Sequence, residues 1–211
     1  MPTITTTLQP DATDGKDSYI SAVAPTTNYG TTNPAIITYW PSDDKRMLID
    51  FYPIIIKEFP KWKKVLIKQV YIDLNISAVS SAGQVVTLMY EILRDWVESE
   101  VTWNNWKAGN AWTTPGATGA GDSNVTPFLI STAVIATGSQ KYYIDPYYFY
   151  RMMDRTNYGF MLYPDRNLGV NRSYSPDTSD DATVADRPKL VIVHEPYIKI
   201  FPISAGLGQV R

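Results

Sequence analysis

Four of the chain's six tryptophans, Trp96, Trp103, Trp106 and Trp112, fall in the single stretch WVESEVTWNNWKAGNAW (96–112). An indole ring can do two things with its area: plug a core, or stack on a flat ligand face such as the C–H face of a sugar. Trp96 and Trp103 are flanked by apolar Val97 and Val101, which points to the core. Trp106 and Trp112 sit among Asn, Lys, Gly and Thr without strand periodicity. With Tyr174, they are the candidates for carbohydrate or partner contact, and a loop Trp folded back onto the protein is the competing reading.

The other reactive side chains are sparse. There is no cysteine, which removes disulfides, thiolate metal sites and Cys nucleophiles. His194 is the only histidine, at the end of an apolar run, and no Gly-x-Ser-x-Gly elbow exists for it to serve. No catalytic residue is assigned. Asp11, Asp14 and Asp17, then Asp177, Asp180 and Asp181, are candidate ligands for a structural calcium, without the spacing of an EF-hand loop. Asp side chains bonding their own turns are the alternative. GATGAG (116–121) has no Lys and opens no helix, so it reads as flexible loop rather than a phosphate cradle. KEFPKWKK (57–64) places four lysines around Trp62, as on a charge-protected edge. YIKIFPI (197–203), with Tyr197, Ile198, Ile200, Phe201 and Ile203, reads as an assembly arm or as a last strand.

Composition sets the frame for these residues. The chain has 211 residues, 44% hydrophobic and 19% charged, a globular balance. A net charge of −2 gives nucleic acid no basic face. MPTITTTLQP lacks a basic start and an apolar stretch, so no signal peptide is expected; no run approaches the ~20 apolar residues of a membrane span.

β signals dominate, with 15 prolines and 12 glycines as punctuation. Strands are predicted over 17–23, 35–40, 46–54, 65–77, 84–93, 131–137, 140–144, 159–164, 169–175 and 187–195. In the longest, Val70, Ile72, Leu74 and Ile76 alternate with Gln69, Tyr71, Asp73 and Asn75, giving one buried and one wet face. One helix is predicted over 146–156, with Asp145 as N-cap and Pro146 in its first turn. TNYG occurs at 27–30 and 156–159, read as two Asn-Gly turns rather than a repeat. The fold expected is all-β, a two-sheet antiparallel sandwich of jelly-roll type over 1–195, with 196–211 as a C-terminal extension.

Five segments in order resemble the DNRLRE domain, a disaggregatase-related type of carbohydrate-binding module: DSYISAVAPTTNYGT, DKRMLIDFYPI, WVESEVTWNNW, TNYGFMLYP and SYSPDTSDDATVADRPKLVIVHE. The resemblance spans Asp11 to Glu195. It implies a β-sandwich of a kind found on secreted polysaccharide-active enzymes, on surface proteins and in phage virions. The absent catalytic domain and the extra tail depart from an enzyme's accessory module. The reading is therefore a non-enzymatic interaction module without cofactor, at a virion or extracellular surface. Its first form is a structural component of a phage particle, bound to other subunits as an oligomer. The alternative is a carbohydrate-binding module, and a polysaccharide lyase using Tyr and Lys is a third option.

Overall fold

The computed structural model describes residues 2–40, 43–60, 65–80, 86–124, 126–130, 136–165 and 172–196. Trp62 and its lysines at 61, 63 and 64, most of the strand predicted at 131–137, and the arm 197–203 lie outside the described residues. The described residues form thirteen strands: β1 (Ile4–Leu8), β2 (Asp17–Ser21), β3 (Ile37–Trp40), β4 (Asp43–Ile49), β5 (Ile67–Val79), β6 (Thr87–Glu91), β7 (Asn105–Lys107), β8 (Asn110–Ala111), β9 (Leu129–Ile130), β10 (Gly138–Ile144), β11 (Phe160–Pro164), β12 (Arg172–Pro176) and β13 (Lys189–His194).

β5 organises one face of the sandwich. β13 pairs with its residues 67–73 and β10 with 70–76, so the two lie on opposite edges; β1 adds to β13. β4 organises the other face, with β2 and β11 on its two edges and β6 and β9 beyond β11. β12 follows β13 along β5 and hands over to β3, which pairs with the start of β4, so the two sheets join at one corner. Every pairing between these strands is antiparallel among the described residues, and the result is the expected two-sheet sandwich.

The β5 alternation does what its pattern requires. Val70, Ile72, Leu74 and Ile76 are buried, facing Met47, Ile49, Phe160 and Leu162 across the sandwich. Two helices close this core. α1 (Tyr52–Glu58) buries Ile54 and Ile55, and α2 (Pro146–Met153) buries Phe149, Met152 and Met153. α2 is the predicted helix, ending at Met153 rather than 156; the Asp145 carboxylate accepts from the Tyr147 N–H at 2.8 Å. α1 corrects the strand predicted through 54. Pro53 fits a first helical turn, and the Asp50 carboxylate accepts from the Tyr52 N–H at 2.9 Å, turning the chain out of β4. Both TNYG stretches close the same Asn-to-Gly hydrogen bond: Asn28 accepts from the Gly30 N–H at 3.1 Å, and Asn157 from the Gly159 N–H at 2.9 Å. Gly159 sits at φ +102°, and a side chain there would strike the Ile49 carbonyl.

Arg155 follows α2 in the left-handed region, φ 55°, where glycine is the usual choice. Its side chain explains the exception. It pairs with Asp50 at 3.2 Å and Asp95 at 2.6 Å, and its guanidinium stacks on Tyr52 and Tyr158, each at 4.3 Å. The Asp50 side chain is only 1% exposed, so loss of Arg155 leaves a buried carboxylate with Lys16 as its remaining salt-bridge partner. Arg155→Ala is expected to cost about 2–3 kcal/mol in urea denaturation. Arg155→Gly should cost about 1 kcal/mol less, because it relieves the backbone while losing the same pairs; equal costs would refute the strain account.

Candidate glycan-binding face

The tryptophan stretch forms a second core. Ile20 of β2, Leu48 of β4 and Met161 of β11 point away from the sandwich interior and meet Ile92, Trp96, Val101, Trp112 and Ala117. The segment 94–123 thus lies over the outer face of the β4 sheet and seals it. Trp96 is 1% exposed, and its indole N–H donates to the Tyr158 carbonyl at 2.8 Å. Trp112 is 3% exposed and donates to the Thr102 carbonyl at 2.9 Å. Trp103 and Trp106 are half-buried at the margin, with Lys107 Nζ 4.5 Å over the Trp106 ring.

Two contact candidates are thereby corrected. Trp112 is a core residue: its polar neighbours in sequence are not its neighbours in space. Tyr174 is buried completely in the first core, its hydroxyl 2.7 Å from Thr87 Oγ1 and its pKa pushed well up by burial. Neither presents a face to a ligand. Trp106 keeps partial exposure, but Lys107 covers one side of it.

Five of the six acidic candidates bond to nearby groups of the protein. Asp11 accepts from the Thr13 N–H at 2.8 Å, Asp14 pairs with Lys57, and Asp181 accepts from the Thr183 N–H at 2.6 Å. Asp177 accepts from Asn75 at 2.8 Å, and Asp180 is half-buried. Asp17 is buried and accepts from the Ser179 N–H at 3.0 Å. Among the described residues, no three His, Cys, Asp or Glu side chains gather to hold a metal ion. His194 is packed against Phe59, its ring nitrogens 3.0 Å from Thr6 Oγ1 and 2.9 Å from the Glu195 carbonyl.

The GATGAG loop is built rather than loose. Asp122, fully buried, accepts from the Thr114 N–H at 3.0 Å and from Arg94 at 3.3 Å, while Ser123 donates to the Ala117 carbonyl at 2.7 Å. Two residues from this loop end, Thr118 and Ser123, form a cleft of about 120 Å³ with Asn124, Tyr90, Met161 and Tyr163. Met161 and Tyr163 come from alternate, outward positions of β11, and Tyr90 from its partner β6, so the sheet's pleat sets them side by side. Tyr163 is backed by Arg46, whose guanidinium lies 4.4 Å from that ring and 4.6 Å from Trp103, and which also donates to the Gly116 carbonyl and pairs with Asp44 at 2.8 Å. The cleft offers aromatic rings, an apolar floor, hydroxyls and a carboxamide. That mixture suits a ligand with C–H faces and many hydroxyls. Sequence reasoning missed this site because its three strand residues alternate like ordinary core positions and its loop residues carry no motif.

An all-β sandwich with a small polar–aromatic cleft on one sheet is the build of a binding module. The model of carbohydrate-binding module family 96 matches residues 9–126, more than half of the chain, and the chain belongs to that family. This is the wider class that the resemblance implied. The match ends before β10, β11, β12 and β13, yet those strands complete both sheets. No curated protein matches the chain. No helix among the described residues is long and apolar enough to cross a membrane.

Proposed function

We propose that the chain binds carbohydrate non-catalytically through the cleft between Tyr90 and Tyr163. The observation that carries this is the cleft itself: the half-buried Tyr90, a wall and floor of buried Tyr163 and Met161, and the polar groups of Thr118 and Asn124, in a chain of a carbohydrate-binding family. Family membership favours glycan over the reading as a virion component. A sugar ring placed there sets a C–H face on an aromatic ring and its hydroxyls against the rim.

Affinity electrophoresis through gels carrying β-glucan, xylan, mannan, galactan or pectin tests it. At least one polymer is expected to retard the chain, and Tyr90→Ala to weaken that retardation roughly five- to tenfold, as loss of a stacking ring implies. The competing surface is the exposed Tyr143 on β10 beside the half-buried Tyr71 on β5, with ring centroids 5.2 Å apart and Lys141 over Tyr71. If Tyr143→Ala abolishes retardation and Tyr90→Ala does not, the site is on that other sheet.

A further inference from the structure

A second cleft adjoins the first. It has a volume of about 260 Å³ and is lined by Asn124, Thr126, Pro127, Phe128 and Tyr148. Asn124 lines both. This shared wall is held firmly. The Asn124 N–H donates to the Glu91 carbonyl at 3.2 Å, and its side-chain amide donates to the Glu91 carboxylate. Glu91 is 1% exposed and also accepts from Arg151 of α2 at 2.6 Å. One buried carboxylate therefore ties the wall to the helix that supplies Tyr148. The Asn124 amide nitrogen is engaged by Glu91, so what its side chain can offer a ligand between the two clefts is the oxygen, an acceptor. The second cleft repeats the chemistry of the first. It has an aromatic pair, Phe128 and Tyr148, stacked at 4.1 Å, and the exposed hydroxyl of Thr126.

We infer that the two clefts are consecutive subsites for one linear glycan, so that the chain recognises an internal run of at least two sugars rather than a single terminal one. This deepens the carbohydrate-binding reading and rests on it. Two adjacent clefts of like lining, sharing a fixed polar residue, match a ligand that repeats its own chemistry along its length; a lone monosaccharide would leave the larger cleft empty. The sugar in the first cleft rests on the half-buried Tyr90, with the buried Tyr163 behind it as wall, and the next meets Tyr148 and Thr126, with Asn124 at the junction.

The test uses the full chain and the polymer from the panel above that retards it. Its oligosaccharides, from the monosaccharide to the hexasaccharide, are titrated by calorimetry. Affinity is expected to rise roughly tenfold or more between the monosaccharide and the trisaccharide. Tyr148→Ala should remove that rise while sparing monosaccharide affinity, and Tyr90→Ala should weaken every length. Tyr148 packs on Phe128, so Thr126→Leu is the companion variant: it fills the second cleft from an exposed position and should flatten the rise with an unchanged melting temperature. If the wild-type chain is retarded but the monosaccharide binds as well as the hexasaccharide, or Thr126→Leu leaves the rise intact, the two-subsite inference fails and carbohydrate binding stands. If no polymer in the panel retards the wild-type chain, the carbohydrate reading fails and takes this inference with it.

Discussion

Trp112→Ala is expected to lower the unfolding free energy by about 3–5 kcal/mol, the cost typical of emptying an aromatic site in a core. The side chain is 3% exposed, and its N–H bond to the Thr102 carbonyl goes with it, leaving a buried acceptor. For a chain of this size that loss moves the melting temperature by roughly 10 °C. Trp96→Ala belongs to the same class, with the additional loss of Lys16 Nζ 4.6 Å from its ring. Trp106→Ala, at the half-buried margin, should cost only about 1 kcal/mol. Urea denaturation of the three variants reads this ordering directly. If Trp112→Ala kept wild-type stability and lost glycan retardation instead, the second core would be misassigned and Trp112 would be a binding residue after all.

That ordering also shows what the sequence carried and where it stopped. Period-two alternation made β5 legible, because every second side chain there faces the sheet's own core. The two Asn-Gly turns were legible because their hydrogen bonds close within three residues. α1 was not: Ile54, Ile55 and Ile56 are β-branched and follow an alternating strand, and at the strand's end Asp50 turns the chain by accepting from the Tyr52 N–H. Trp112 misled because its sequence neighbours are polar, while its spatial neighbours come from β2, β4 and β11. The cleft was invisible for the same reason. Tyr90 and Tyr163 are far apart in sequence and become neighbours only through the β6–β11 register, which pairs Tyr90 with Met161 and Leu88 with Tyr163. The acidic runs gave their composition but not their use, since whether an Asp caps a turn or is buried depends on what folds over it.

One of those buried acids gives the second large effect: the chain should lose stability as pH rises from about 5 to about 8. Asp17 and Glu98 meet where β2, the tryptophan segment and the closing loop converge; the Asp17 N–H donates to Glu98 Oε1 at 2.7 Å, and the Ser179 N–H donates to Asp17. Burial pushes the pKa of Asp17 up to about 7, with bonds from Ser179 opposing and Asp180 adding. Burial likewise pushes Glu98 up to about 7, with Asp17 and Asp180 adding and Lys16 opposing. Both folded-state values lie above the unfolded ones, so the folded chain binds more protons across this window. Its stability is then greatest while these groups are protonated, declines as pH rises towards their folded-state values, and levels off above them. For Asp17 the shift corresponds to a loss on the order of a few kcal/mol, while the half-buried Glu98 adds less because solvent screens it. Asp180 and Asp177 are also raised by burial and act in the same direction. Asp17→Asn keeps an acceptor for the Ser179 N–H and carries no charge, so it should flatten most of the slope and make the variant at least as stable as wild type at about pH 8. Urea denaturation of both proteins across the window decides the matter. Stability that climbs with pH, or an unchanged slope in Asp17→Asn, would mean that Asp17 is held ionised and that the segment covering the β4 sheet is fastened there by charge rather than by burial.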